Sequence, residues 1–138
     1  MSALSIGIET PPSKITLDAI EQGLDAYNAQ FSPTAYEEFA VTLKAEDGTV
    51  RGGITAMAWA GMLFIKWFWI DEAVRGQGHG RSLLAAAEDA GRARGCTAVF
   101  LDTFEFQARP FYEKCGYRVF GTLDYPAGFK RFYLQKPL

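Results

Sequence analysis

Histidine is almost absent from this chain: its 138 residues hold one, His79. A metal centre built on several imidazoles is therefore excluded, and a Ser-His or Cys-His hydrolase would have to rest on that one residue. Cysteine is scarce too. Cys96 and Cys115 are too few for a disulfide framework and lack metal-ligand spacing, so both read as reduced thiols of a cytoplasmic protein, and no metal is expected. No run of about 18 uncharged apolar residues occurs, and the N-terminus has neither a basic n-region nor an apolar h-region, so neither a membrane partner nor a targeting segment is expected. A basic excess is also missing. A net charge of -2 and a pI near 5.4 give no field for a nucleic-acid backbone, which makes DNA and RNA unexpected partners. Repeats, low-complexity tracts and linkers are lacking, so residues 1–138 read as one domain.

What is plentiful is apolar and aromatic surface, at 49% and 14% of the residues. Ala3 to Glu9 alternates as a short strand that Pro11 and Pro12 stop. Ser13 is a candidate cap for a helix to about Gln30, with Ile15, Ala19, Ile20, Leu24 and Tyr27 at helical spacing and Asp18, Glu21 and Asp25 on a solvated face. Tyr36–Lys44 and Val50–Trp59 read as strands joined by an Asp47-Gly48 hairpin, and Met62–Ile70 as a third, central strand. In that strand Lys66 is the exception: it snorkels, pairs with a carboxylate, or faces a cavity. The aromatic group around it, Trp59, Phe64, Trp67, Phe68 and Trp69, reads as core more readily than as a substrate cage. Ser82–Arg94 is a helix with a Leu83, Leu84, Ala87, Ala90 stripe, followed by a strand from Ala98 to Asp102 that the crossover rule makes parallel to its predecessor. A helix from about Ala108 to Lys114 and a closing hairpin, Tyr117–Leu123 with Phe129–Gln135, complete the chain.

Between the central strand and its following helix lies V-R-G-Q-G-H-G-R-S-L-L, Val74 to Leu84. Glycines at 76, 78 and 80 let consecutive amides converge on one point, the helix adds unpaired N–H groups, and Arg75 and Arg81 add charge, which together describe a phosphate site. A Walker loop fails because Gly80 is followed by Arg81, and G-x-G-x-x-G closes in neither register. The remaining R-x-x-G-x-G, Arg75, Gly78 and Gly80, resembles the pyrophosphate loop of the GNAT superfamily of acetyl-CoA-dependent N-acetyltransferases. Downstream, A-R-P-F-Y-E-K-C-G-Y, Ala108 to Tyr117, resembles the same superfamily's A-x-x-F-Y-x-x-x-G-F/Y element. The tail is also similar to small bacterial members with T-F-x-F-Q-A-x-x-F-Y and Y-P-x-G-H, matched by Thr103, Phe104, Phe106, Gln107, Ala108, Tyr125, Pro126 and Gly128, with Phe129 where histidine is usual.

The resemblance implies an α/β fold with a mixed, mostly antiparallel sheet, a central parallel strand pair and helices on both faces, and acetyl-CoA as cosubstrate. It implies cofactor contacts from Trp69, Ile70, Asp71 and Glu72 at the strand end and from Arg75, Gly76, Gln77, Gly78, His79, Gly80, Arg81 and Ser82 in the loop. Glu105 stands where many members carry an asparagine on the pantetheine arm. Tyr112 matches the acid that protonates the leaving thiolate; its other reading is a packed tyrosine with a bonded hydroxyl. The base stays open among Glu105, Asp102, Glu72, Asp71 and a water relay, since the strand before the loop has no glutamate. Arg109 either reaches a cofactor phosphate or is solvated. The expected acceptor is the primary amine of a small molecule, with peptide acetylation or acetyl-CoA sensing as the alternatives. A homodimer through sheet edges or the C-terminal hairpin is expected from Phe120, Tyr125, Phe129 and Phe132.

Overall fold

The computed structural model describes residues 3–32 and 36–138, in two compact units, Met1–Ala35 and Tyr36–Leu138. In the first, helix α1 spans Lys14–Asn28, and Ser13 caps it by accepting from the Thr16 amide at 3.1 Å. The Glu9 carboxylate braces the same turn, accepting from the Ser13 amide and the Thr16 hydroxyl. The strand expected over Ala3–Glu9 does not form. Alternation fixes a period but supplies no partner for the backbone N–H and C=O groups, and Leu4, Ile6 and Ile8 are almost fully exposed.

The second unit is a six-stranded sheet in the order β1-β2-β3-β4-β6-β5. Strands β1 (Glu37–Lys44), β2 (Val50–Trp59) and β3 (Met62–Ile70) form an antiparallel meander. Its first turn closes with the Gly48 amide donating to Ala45 O and the Thr49 amide to Asp47 Oδ1, with Gly48 at φ 87°. A single 3-10 turn, Glu72–Val74, leads to helix α2 (His79–Ala93), then β4 (Ala98–Phe104), which pairs parallel with β3. Helix α3 (Arg109–Lys114) precedes the hairpin of β5 (Arg118–Asp124) and β6 (Lys130–Pro137). β6 inserts between β4 and β5, antiparallel to both, an order that sequence adjacency does not reveal.

Lys66 owes its place in an apolar strand to a β-bulge. Ile65 faces Ala56 while Trp67 faces Thr55, so Lys66 is the unpaired extra residue, and the Trp67 amide donates to Thr55 Oγ1 at 3.2 Å. The bulge flips the alternation. Leu63 and Ile65 point into the core before it and Phe68 and Ile70 pack on that core after it, which sends Trp67 and Trp69 to the other face, 66% and 53% exposed. The expectation that these tryptophans are core is therefore corrected, because one inserted residue exchanges the two faces of a strand.

Helix α2 lies on the Leu63–Ile65 face. Gly91 brings the helix close to β3: a Cβ there would meet Leu63 Cδ2 at 2.8 Å. The same helix is tied to β6 by a buried polar group. Lys136 Nζ donates to both oxygens of Glu88, at 3.0 and 3.2 Å, and the Tyr117 hydroxyl donates to Glu88 Oε2 at 2.7 Å. Burial, and then the Glu88 carboxylate, push the Tyr117 phenol far above its ordinary range. Of the aromatics expected at a dimer contact, Phe132 is buried, Tyr125 and Phe129 stack on each other, and Phe120 is exposed on β5.

Removing one partner of a buried ion pair leaves the other charge uncompensated, so Lys136→Met is expected to destabilise the fold by about 3 kcal/mol in urea denaturation at neutral pH. An unchanged transition midpoint would show that Glu88 is sufficiently served by Tyr117 and solvent.

Candidate active site

Pairing between β3 and β4 covers four residue pairs, Met62↔Ala98 to Ile65↔Leu101, although β3 runs on to Ile70 and β4 to Phe104. Past the bulge the two parallel strands part. The outer half of β3 keeps its ladder with β2 and turns unpaired backbone groups toward the gap. The gap is a cavity of about 930 Å³ with Lys66–Ile70 on one wall and Leu101–Phe104 on the other. Phe106–Ala108, Arg131, Phe111 and Tyr112 close further sides, and Arg75 and Gly80 stand where the cavity meets the loop.

The loop gets its shape from Gly76 and Gly78, at φ 76° and 84°, a region costly for any residue with a Cβ. Gly78 is the N-cap of α2. The helix therefore starts three residues earlier than the apolar stripe indicated, and its first-turn amides, with the positive end of the helix dipole, face outward at the loop. Gly80 has ordinary helical geometry, and its smallness serves packing: a Cβ would sit 3.3 Å from Ile70 Cδ1 and 3.5 Å from Phe111 Cζ. Arg75 is fixed by donating from Nε to Ile70 O at 2.8 Å. An anion cradle thus opens at one end of an apolar slot with a polar strand edge.

Of the residues expected to contact the cofactor, Trp69, Ile70, Arg75 and Gly80 line the cavity. Gly76, Gln77, Gly78, His79, Arg81 and Ser82 form the loop and first helical turn beside it, and Ser82 donates from Oγ to Gly78 O. Asp71 is committed elsewhere: it accepts from Arg51 Nε at 2.8 Å and from the Ala73 amide at 3.1 Å, and the Ala73 amide, with Arg51, lowers its pKa. Glu72 is exposed in the 3-10 turn. Glu105 accepts from the Lys130 amide and does not line the cavity. Arg109 pairs with Glu113 at 3.3 Å and lies over the Phe132 ring.

Tyr112 lines the cavity and is 6% exposed. Burial pushes its phenol up to about 12, with the charges of Asp102 and Cys115 adding to the shift. Its helix is held on β4 by the bonds of one local motif: the Phe104 amide and the Thr103 hydroxyl donate to Gln107 Oε1, and Thr103 Oγ1 accepts from the Ala108 amide. Sequence reasoning saw these letters without the brace they make, and it missed Arg131. That residue donates from Nε and Nη2 to Asp102 Oδ1, at 3.0 and 2.8 Å, across the β4–β6 ladder. No local spacing joins positions 29 apart.

A slot between parted parallel strands, with a helix N-terminus at its mouth, suits a long ligand that is anionic at one end and amide-bearing along its length. The Acetyltransferase (GNAT) family matches residues 13–117, and the chain belongs to that family as a small N-acetyltransferase. An acetyltransferase of Agrobacterium fabrum is 36% identical over 106 residues, covering 76% of this chain and 77% of the relative. A blasticidin-S acetyltransferase of Streptomyces morookaense is 35% identical over 104 residues, 74% of this chain and 76% of its own. A solved acetyltransferase structure from Bacillus cereus superposes with a TM-score of 0.82 at 32% identity, covering 99% and 98% of the two chains.

A valine at position 78 would strain a left-handed backbone and project into the open space from which a phosphate approaches the amides, so Gly78→Val is expected to abolish acetyl-CoA binding in calorimetry while the thermal transition persists. Wild-type affinity in the folded variant would remove the loop from the cofactor site.

Proposed function

We propose that residues 1–138 act as one domain that moves the acetyl group of acetyl-CoA directly to the primary amine of a small molecule. The observation that carries this reading is the cavity itself, which brings the open edge of β3, the Arg75–Gly80 end of the loop and the Tyr112 phenol into one space. Likeness to a blasticidin-S acetyltransferase supports a small acceptor over a peptide. When bound, acetyl-CoA supplies an activated acyl thioester.

Each residue then has a task that its surroundings permit. The N–H groups of Gly76–Arg81 and the helix dipole hold the pyrophosphate, with Arg75 anchored at the junction. The unpaired edge of Trp69 and its neighbours on β3 meets the amides of the arm, as a missing strand would. Tyr112 keeps its proton throughout the neutral and mildly alkaline range because its pKa is raised, and the same shift makes it a weaker acid than an ordinary phenol. It therefore gives its proton to the departing sulfur in step with receiving another.

Phenylalanine at 112 preserves the ring packing against Phe68, Phe111 and Tyr117 while deleting that proton. Tyr112→Phe should lower kcat and kcat/KM together by at least about tenfold, with acetyl-CoA affinity unchanged, when chemistry limits the rate. Unchanged turnover under those conditions returns the residue to a packing role. In the wild type, a phenol titrating at about 12 predicts no falling limb from this group below about pH 10. A limb near neutrality that vanishes in Tyr112→Phe would contradict the assignment.

A further inference from the structure

The cavity wall carries one carboxylate. Among the residues lining the cavity, Asp102 alone is acidic, with its side chain 18% exposed. The other carboxylates near the site in sequence are bonded away from it or lie outside it: Asp71 to Arg51, Glu105 to the Lys130 amide, Glu72 in the exposed turn. Arg131 grips Asp102 through one oxygen only. Both of its donations, from Nε and Nη2, fall on Oδ1, while Nη1 donates to the Tyr125 hydroxyl at 3.2 Å. Among the described residues Oδ2 has no partner and no buried side-chain polar atom lacks one, so Oδ2 is open to solvent on a residue that lines the cavity. With three of its five N–H donors committed to Asp102 and Tyr125, the guanidinium clamps Asp102 in place.

Beside this pair lies a flat apolar wall. Phe106 stacks on Phe104 with centroids 5.4 Å apart and planes within 3°, Phe129 meets Phe106 edge-on, and Phe106 is still 68% exposed. Its outer side offers a ring-sized platform in the cavity that Asp102 also lines.

We propose that Asp102 receives the acceptor amine, orienting its nitrogen through Oδ2 and taking its proton, and that Phe106 receives a flat apolar body carried by that amine. The inference rests on the acetyltransferase reading and adds the substrate class and the base. The neutral amine lone pair forms the C–N bond to the acyl carbon as one N–H proton passes to Asp102 Oδ2. The C–S electron pair leaves with sulfur, which takes the Tyr112 proton. The proton held on Asp102 restores Tyr112. One amine N–H is thereby exchanged for one thiol S–H, and the products are the amide and free CoA.

The test uses the full chain and Asp102→Asn, which keeps an oxygen for Arg131. Thiol release is followed with 2-phenylethylamine, glucosamine and hydroxylamine, the last a weakly basic nucleophile that needs little help in losing a proton. Asp102→Asn should cut kcat/KM for 2-phenylethylamine by about 100-fold or more and for hydroxylamine by less than about tenfold, with acetyl-CoA affinity unchanged by calorimetry. An equal loss for both nucleophiles, or no loss, overturns the role of Asp102. The wild type should prefer 2-phenylethylamine to glucosamine; the reverse overturns the role of Phe106. Should Asp102→Asn fail to fold, Phe106→Ala alters an exposed ring and should lower the ratio of kcat/KM for 2-phenylethylamine over hydroxylamine about tenfold. An unchanged ratio overturns the proposal. If the wild type releases no thiol with any amine, the acetyltransferase reading fails. The inference is then decided by titrating CoA-loaded protein with 2-phenylethylamine and following the amide NMR spectrum: weaker binding by Asp102→Asn supports it, and equal binding or none by the wild type overturns it.

Discussion

Two parallel strands that stop pairing halfway along their length are the constraint on which the site depends. β3 and β4 share hydrogen bonds from Met62↔Ala98 to Ile65↔Leu101 and then diverge. Unpaired backbone in a folded interior is costly unless a ligand or solvent takes over its bonds. The divergence begins at Lys66, the bulged residue, and a bulge both bends a strand and raises its local twist. One extra residue thus opens a slot in the middle of a sheet, keeps β3 joined to β2, and turns Phe68 and Ile70 inward where they support α3 and Gly80.

A slot of this kind is useful only if the elements around it hold still. α2 must keep its N-terminus at the mouth, and two contacts set its position: close packing of Gly91 on Leu63 and the Glu88–Lys136–Tyr117 group that ties the helix to β6. On the other wall, Gln107 and Thr103 fasten the turn after β4, which places Tyr112 from a helix only six residues long. Rigid side-chain bonds thus flank an unsatisfied backbone edge, as preorganised electrostatic catalysis requires.

Much of this was legible in the sequence where physics is local. The meander from position 37 to 70 follows from β-rich runs, Asp47-Gly48 and Gly61, and β2 and β3 end where the turn residues say. The glycines at 76, 78 and 80 marked the loop, although the helix begins at His79, before its apolar stripe, because polar first-turn residues bury nothing. Non-local facts were not legible. Alternation over Ala3–Glu9 carried no information about a partner, and none of the letters around Lys66 marked a bulge that would expose Trp67 and Trp69. The Asp102–Arg131 clamp depends on β6 lying beside β4, which no adjacency rule predicts for a strand that follows β5.

The central claim is that the parted strands receive the arm of acetyl-CoA and the α2 loop its pyrophosphate. A crystal structure of the chain grown with CoA tests it directly. The account predicts pantetheine amides bonded to the backbone of β3 beyond Lys66 and phosphate oxygens against the amides from Gly76 to Arg81. CoA bound elsewhere, with β3 and β4 closed on each other past Ile65 and Leu101, would contradict it.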